Sequence, residues 1–365
     1  MLVGEGFFRP DSRPARDLGV LLARCLAEER PLEVLDGMAG CGIRALRYGL
    51  EAGARRVVAN DADPRRLAVL EANLRSLPPQ VARSATAMPL QQLLSEARAA
   101  GRRFGLVDLD AFGSPLVLVP AALEAVAFGG VLYLASSDGR SPTGHDRRAA
   151  IRRLGAAARA HPASWEIALR LQLGVLARCA WTAGRGIDPL LSFSEGRTFR
   201  TAVRLRRQPA AGEEAWLGMT AHCHRCGDQQ VQSLLALGRW AACRCGNAGP
   251  LAVSGPLWIG PLQDPHLLER MGRQAGTLGT ASPASLRLLE RLAADRGLPA
   301  RVWPTAEIAR HLGGGPPRLA ALVERLRREG HRAGAGAVGT GMLRSDAPWP
   351  QILAAARHLV GTAGC

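Results

Sequence analysis

Lysine is absent from this 365-residue chain: all 47 of its Lys-plus-Arg positions are arginine, set against 31 acids for a formal charge of +16. A GC-rich genome accounts for arginine in place of lysine but not for the excess over acids. Residues 1–208 carry 30 Arg and 20 acids, and residues 209–365 carry 17 and 11, so both halves are basic. A field of that sign favours a polyanionic partner, with nucleic acid foremost. Also missing is any charge-free apolar run of about eighteen residues, which argues against a membrane span. The N-terminus MLVGEGFFRPDSRP has no apolar segment before a cleavage site, so a secretory signal is not expected. With 47% hydrophobic and 21% charged residues the chain can bury a core, which excludes disorder as its main state. A soluble, cytoplasmic monomer is the expectation.

Disulfides are not expected either. Cys223, Cys226, Cys243 and Cys245 fall within 23 residues, where chance placement gives about half a cysteine. Cys25, Cys41, Cys179 and Cys365 are scattered. Without a secretory signal, the cluster points to a metal site. Cys-x2-Cys, sixteen residues, then Cys-x-Cys is close to the four-cysteine zinc pattern, with the second pair one residue short. His222 or His224 could stand in for Cys243 or Cys245. Reduced cysteines packed as small hydrophobes are the alternative.

The first half alternates strand-like and helix-like segments. Leu32–Leu35, Arg56–Ala59, Phe104–Leu109 and Gly130–Ser136 have strand character, and Leu18–Glu29, Ile43–Ala52, Pro64–Leu74 and Leu116–Ala127 helical character. That order predicts an α/β, Rossmann-like domain with a parallel sheet covered on both faces. A helix-rich stretch follows from His145 to Cys179, then a late strand at Arg197–Arg206. The linker RQPAAGEE (207–214) divides the chain into a domain over 1–208 and a smaller α+β domain over 215–365. In the latter, Ala284–Arg296, Thr305–Leu312 and Pro317–Glu329 read as helices ahead of a Gly-rich ribbon, a winged-helix-like outline.

Val34-Leu35-Asp36-Gly37-Met38-Ala39-Gly40-Cys41-Gly42 is an apolar strand, an acid, and a G-x-G turn opening a helix. Glycines let the backbone approach a ligand, and the helix N-terminus offers free N–H groups. Asp61 follows Gly40 by 21 residues at the end of the next strand, where an acid binds ribose hydroxyls. With Ala45 the run also satisfies the dinucleotide pattern, so NAD is a rival cofactor. Asp36 and the motif on the fourth strand favour S-adenosylmethionine.

That second motif is Asp108-Leu109-Asp110-Ala111-Phe112-Gly113-Ser114-Pro115, at the sheet edge where α/β folds bind ligands. Two acids in an apolar strand are costly unless they act. An acid, a main-chain carbonyl from Ala111 and the aromatic Phe112 suit methylation of an exocyclic amine. The acceptors would take its N–H bonds while the ring stacks on the base. We expect Asp110 to face the base and Asp108 to sit on the opposite face.

The chain resembles the tRNA guanine-26 N2-dimethyltransferase family. Phe7-Phe8-Arg9-Pro10 with Ala15-Arg16-Asp17, Gly42–Tyr48 (GIRALRY), Asn60-Asp61 and Asp108–Pro115 match its motifs in order. So do Gly255–Gly260 (GPLWIG), Glu329–Ala333 and Arg344–Pro348 in the second half. The resemblance implies a class I methyltransferase domain and methyl transfer to guanine N2 of tRNA at position 26. It further implies that Arg16, Arg44 and Asp61 bind S-adenosylmethionine, the arginines near the methionine carboxylate and Asp61 at the ribose. Ala87 would lie by the adenine, Gly40 in the cofactor turn, and Asp110 would be catalytic. A structural Zn²⁺ on Cys223, Cys226, Cys243 and Cys245 is implied as well. Ala111 replaces the family's proline, Ala15 its asparagine, and an Arg-Thr-His segment is missing around Gly334–Val338. A catalytically weakened tRNA-binding paralogue is therefore the alternative function. Trp216, Trp240, Trp258, Trp303 and Trp349 lie among the second half's arginines, a mix that suits RNA stacking but equally a core.

Overall fold

Thirteen strands and twelve α-helices run through the described chain of the computed structural model, which covers residues 2–4, 8–243, 245–246, 249–295 and 297–361. Phe7 and Cys365 lie outside the described residues. In chain order the elements are α1 (Arg13–Glu29), β1 (Glu33–Asp36), α2 (Ile43–Glu51), β2 (Arg56–Asp61), α3 (Leu67–Leu74), β3 (Ala82–Ala87), α4 (Leu90–Ala99), β4 (Phe104–Ala111), α5 (Val119–Ala125) and β5 (Val126–Ser136). Next come α6 (Arg147–Leu154), α7 (Ser164–Thr182), β6 (Gly186–Glu195), β7 (Thr198–Arg206), β8 (Leu217–His222), β9 (Gln229–Ser233) and β10 (Ala252–Trp258). The chain ends with α8 (Pro265–Leu278), α9 (Pro283–Ala293), β11 (Val302–Pro304), α10 (Thr305–Leu312), α11 (Leu319–Arg328), β12 (Ala333–Ala335), β13 (Met342–Ser345) and α12 (Trp349–Gly361). None of the described helices is long and apolar enough to cross a membrane.

The first compact unit comprises Met1–Ser137, Arg178–Pro209 and Asp264–Glu290. Its seven-stranded sheet has the order β3-β2-β1-β4-β5-β7-β6. The first five strands pair in parallel, while β7 runs antiparallel to β5 and β6. Central strands such as β4 are largely buried because helices cover both faces of the sheet. The strand order reverses between β1 and β4, and a crevice opens there at the strands' carboxyl ends. Helix α8 returns from far along the chain to pack on α1, with Arg270 paired to Glu29 at 2.6 Å.

The second unit comprises Asp138–Ala177, Ala210–Gln263 and Arg291–Cys365. It holds two three-stranded antiparallel sheets, β10-β8-β9 and β11-β13-β12. The order β11–α10–α11–β12–β13 places two of the three expected helices ahead of a short antiparallel strand pair, while the first expected helix, α9, falls mostly in the first unit. The passage at 209–210 falls on the expected linker. The chain also crosses between the units at 137–138, 177–178, 263–264 and 290–291, so neither unit is one continuous segment.

A buried ion network stiffens this second unit. Glu166 Oε1 accepts from Arg170 Nε at 2.8 Å and from Arg344 at 2.9 Å, and Arg344 also grips Asp295. Arg170 further donates to the carbonyls of Trp258 and Gly260, each at 3.0 Å. Trp303, Leu322, Leu326, Leu343, Trp349 and Ile352 form the core between the helices and the last sheet.

Candidate active site

The turn after β1 is tied down from both sides. Gly37 N donates to the Asp108 carbonyl at 2.9 Å and Ala39 N to that of Asn60 at 2.8 Å. Gly40 and Gly42 sit at φ 58° and 78°, in the left-handed region where a side chain is strained. Asp61 Oδ2 accepts from Gly40 N at 2.8 Å and its Oδ1 from Asp63 N at 3.0 Å, so the acid braces the glycine turn. Asp36 is fully buried and accepts from Ala45 N, in the first turn of α2, at 3.0 Å. Burial, then the neighbouring Asp108, pushes its carboxyl well above the usual carboxylate range.

A charged centre lies at the end of β4. Asp108 and Asp110 project from the same face, as residues two apart in a strand must, which corrects the expectation of opposite faces. Arg44 reaches both, with its NH2 2.8 Å from Asp110 Oδ2 and its NH1 3.5 Å from Asp108 Oδ2. Arg200 NH2 donates to both Asp110 oxygens at 3.2 Å. Tyr48 OH donates to Asp108 Oδ2 at 2.5 Å. Burial alone would raise the Asp110 carboxyl, but the Arg44 and Arg200 guanidiniums outweigh it and hold it at about 2. Asp108 goes the other way, since burial outweighs its pull from Arg44.

Asp110 borders a cavity of about 850 Å³ in the first unit, large enough for a nucleoside cofactor beside a base. Gly37, Gly40 and Asp61 form one side, and Asp110, Ala111, Phe112 and Arg200 another. Phe112 is 81% exposed, an apolar ring offered to whatever enters. Gly113, at φ 80° with its N–H on Ser137 Oγ at 2.7 Å, makes the turn behind it. Arg16 also lines the cavity. It donates to the carbonyls of Arg9 (2.9 Å) and Pro10 (3.2 Å) and lies 4.9 Å from the centre of the Phe8 ring. Burial, then Arg44 and Arg47, lowers its pKa.

The sequence-derived set is thus largely brought together, with two differences. Arg44 is engaged by Asp110 and Asp108. Ala87 does not line the cavity; Pro89, Leu90 and Gln91 do. Arg200 was not singled out from sequence. Its signal was an arginine within the otherwise uncharged run Thr198–Val203, on a strand flanked by neighbours on both sides, where a guanidinium needs a buried partner.

The four cysteines meet in the second unit, all sulfurs within 4.8 Å of one another. Cys226–Cys243, Cys243–Cys245 and Cys223–Cys245 are 3.1, 3.2 and 3.8 Å apart. Tetrahedral zinc with Zn–S bonds of about 2.3 Å separates its sulfurs by about 3.8 Å, so the donor set and spacing fit. His222 and His224 are not part of the cluster; the His222 ring packs against His161 and His224 at 4.8 Å each. The indole N–H of Trp303 donates to the Gly227 carbonyl at 2.8 Å, and that of Trp349 to the Cys226 carbonyl. The two rings stack with centroids 5.5 Å apart, so these tryptophans buttress the cysteine turn.

A sheet of order 3-2-1-4-5-7-6, a glycine turn braced by an acid on β2, and an acid–aromatic pair after β4 together define a Rossmann-like methyltransferase fold. The chain belongs to the N2,N2-dimethylguanosine tRNA methyltransferase family, whose profile matches residues 3–357. It is 31% identical over 375 residues to the tRNA (guanine(26)-N(2))-dimethyltransferase of Aeropyrum pernix, covering 99% of this chain and 91% of that one. The enzyme of the same name from Methanosphaerula palustris is 30% identical over 352 residues, covering 96% and 91%. Among solved structures, Trm1 from Pyrococcus horikoshii in complex with S-adenosyl-L-methionine superposes with a TM-score of 0.85 at 24% identity, over 96% of this chain and 94% of that one.

Proposed function

We propose that this protein transfers methyl groups from S-adenosylmethionine to the exocyclic N2 of guanosine 26 in tRNA. The observation that carries the reading is Asp110, ionised and clamped by two arginines on the wall of a cofactor-sized cavity beside the exposed Phe112. S-adenosylmethionine, when bound, supplies an electrophilic methyl on its sulfonium.

The chain's own residues do the rest. The glycine turn at Gly40 offers close backbone approach, and Asp61 beside it suits ribose hydroxyls. Arg16 fixes the Arg9–Pro10 segment as cavity wall and supplies a cation for the methionine carboxylate. Asp110 and the Ala111 carbonyl accept N–H bonds from the guanine amine, directing its nitrogen lone pair, while Phe112 stacks on the base. A carboxylate held at about 2 does not remove a proton from a neutral amine. Its charge instead stabilises the positive nitrogen that forms on methylation, and that alkylated amine is acidic enough to lose its proton even to this group. Arg44 and Arg200 act as positioning residues for Asp110. Four thiolates would close a zinc site completely, which makes the metal structural.

In this reading the first unit carries methyl transfer and the zinc-bearing second unit holds tRNA. The protein works as a cytoplasmic monomer. Incubation with labelled S-adenosylmethionine and unmodified tRNA, followed by nucleoside mapping, tests the proposal. Label in N2-methylguanosine or N2,N2-dimethylguanosine at position 26 supports it, and label elsewhere or nowhere refutes it.

A further inference from the structure

The five tryptophans singled out in the second half do not share one environment. Trp258, Trp303 and Trp349 are buried and Trp240 is half-buried, whereas Trp216 is 45% exposed. Trp216 borders a cavity of about 240 Å³ within the second unit, together with Ile259, Gly260, Arg301 and Arg332.

The Trp216 seat is rigid. Its carbonyl accepts from Ile259 N at 2.7 Å, and the ring lies close over Gly260, where a Cβ would crowd it at 3.0 Å and Trp258 Nε1 at 2.9 Å. Gly260 is fixed in turn by the fully buried Arg170, whose guanidinium holds the carbonyls of Trp258 and Gly260. Trp258 donates its indole N–H to the Pro261 carbonyl at 2.9 Å, closing the same loop. The cations are oriented too. Asp346 accepts from Arg332 N at 2.9 Å and Nε at 3.0 Å, and its carbonyl accepts from Arg301. The Arg332 side chain is nonetheless 69% exposed.

We propose that this cavity is an RNA subsite: an unstacked base lies on the Trp216 indole, and the adjoining phosphate meets Arg332, with Arg301 behind it. A preorganised aromatic beside guanidiniums, on a chain of net charge +16, is the chemistry that binds single-stranded nucleotides. The inference rests on the tRNA reading above and names where a nucleotide other than the target is held. The exposed Leu234 and Leu235 belong to a turn packed against the Trp216 turn. An interface between two copies of the chain is therefore the outcome to be separated from RNA binding.

The test uses full-length protein with its metal, unmodified tRNA and the variants Trp216→Ala, Trp216→Phe and Arg332→Gln. Binding of tRNA is measured across a salt series, with S-adenosylhomocysteine binding and mass by light scattering as controls. Trp216→Ala should raise the Kd for tRNA roughly 5- to 100-fold and the KM alike, leaving kcat and S-adenosylhomocysteine affinity near wild type. Trp216→Phe should recover most of the loss, and Arg332→Gln should flatten the salt slope by about one unit. A Trp216→Ala Kd within twofold of wild type overturns the proposal, whether or not the mass changes. Should Trp216→Ala not fold, an unchanged salt slope together with a wild-type Kd in Arg332→Gln overturns it. Wild-type protein that binds no tRNA refutes the functional reading itself, a result distinct from any variant effect.

Discussion

Asp110 is ionised over the whole range in which the enzyme would work, because Arg44 and Arg200 lower its pKa to about 2 against an ordinary 3.8. For a carboxyl depressed on folding, the stabilising contribution is complete above the unfolded value and is lost as pH falls through the folded one. The Asp110 contribution should therefore disappear between about pH 4 and 2, and methyl transfer should show no acid limb from this group between pH 5 and 8. A rate profile that falls with a pKa near 6 in wild type, but not in Asp110→Asn, would contradict this. Asp61 gives a separate test. Asp61→Ala should weaken S-adenosylmethionine by roughly 1.5–3 kcal/mol, through lost charged hydrogen bonds and a slackened Gly40 turn. Isothermal titration returning an unchanged Kd would remove Asp61 from the cofactor site. Asp61, Gly40 and Asp110 were legible in sequence because each stands at a fixed, short spacing from a strand end. Arg200 was not, because its partner Asp110 lies 90 residues away. The shared face of Asp108 and Asp110 could have been deduced from the two-residue period alone.

The cysteine turn carries a donor set that fits a structural zinc and is buttressed by two indoles. Removing zinc with a chelator, or introducing Cys226→Ser, should unlock the Cys226–Gly227 carbonyls from Trp349 and Trp303. Tryptophan fluorescence should then shift to the red and the melting temperature fall, while S-adenosylhomocysteine binding persists in the first unit. Identical spectra with and without chelator would count against a structural metal. The buried Glu166 makes a comparable demand. Glu166→Gln leaves Arg170 and Arg344 without their shared carboxylate, and breaking such a buried network costs roughly 3–5 kcal/mol. Denaturant unfolding showing less than 1 kcal/mol of change would mean that the network relaxes freely. The elements themselves were unevenly readable. β1, β2, β4 and β5 are apolar runs bounded by turns. β3 (ARSATA) carries no apolar pattern because it is an edge strand, and β6 conceals itself behind Pro189 at a register shift.

Across the whole molecule, charge and connectivity carry the argument. The excess of arginine was visible from composition and agrees with a polyanionic substrate. The passage of the chain between units was not visible, because α8 has no local mark of belonging with α1. Its assignment depends on pairs such as Arg24–Gln274 and Arg270–Glu29, both more than 200 residues apart. The measurement that tests the central claim most directly is single-turnover methyl transfer to two tRNAs differing only at position 26, one with guanosine and one with inosine, by wild-type protein and by Asp110→Asn. The account predicts transfer to guanosine alone, since inosine lacks the N2 amine. It also predicts a fall of roughly 10²–10⁴ in rate for Asp110→Asn with tRNA binding kept within a few-fold. Transfer to the inosine tRNA, or a near-normal rate in Asp110→Asn, would contradict it.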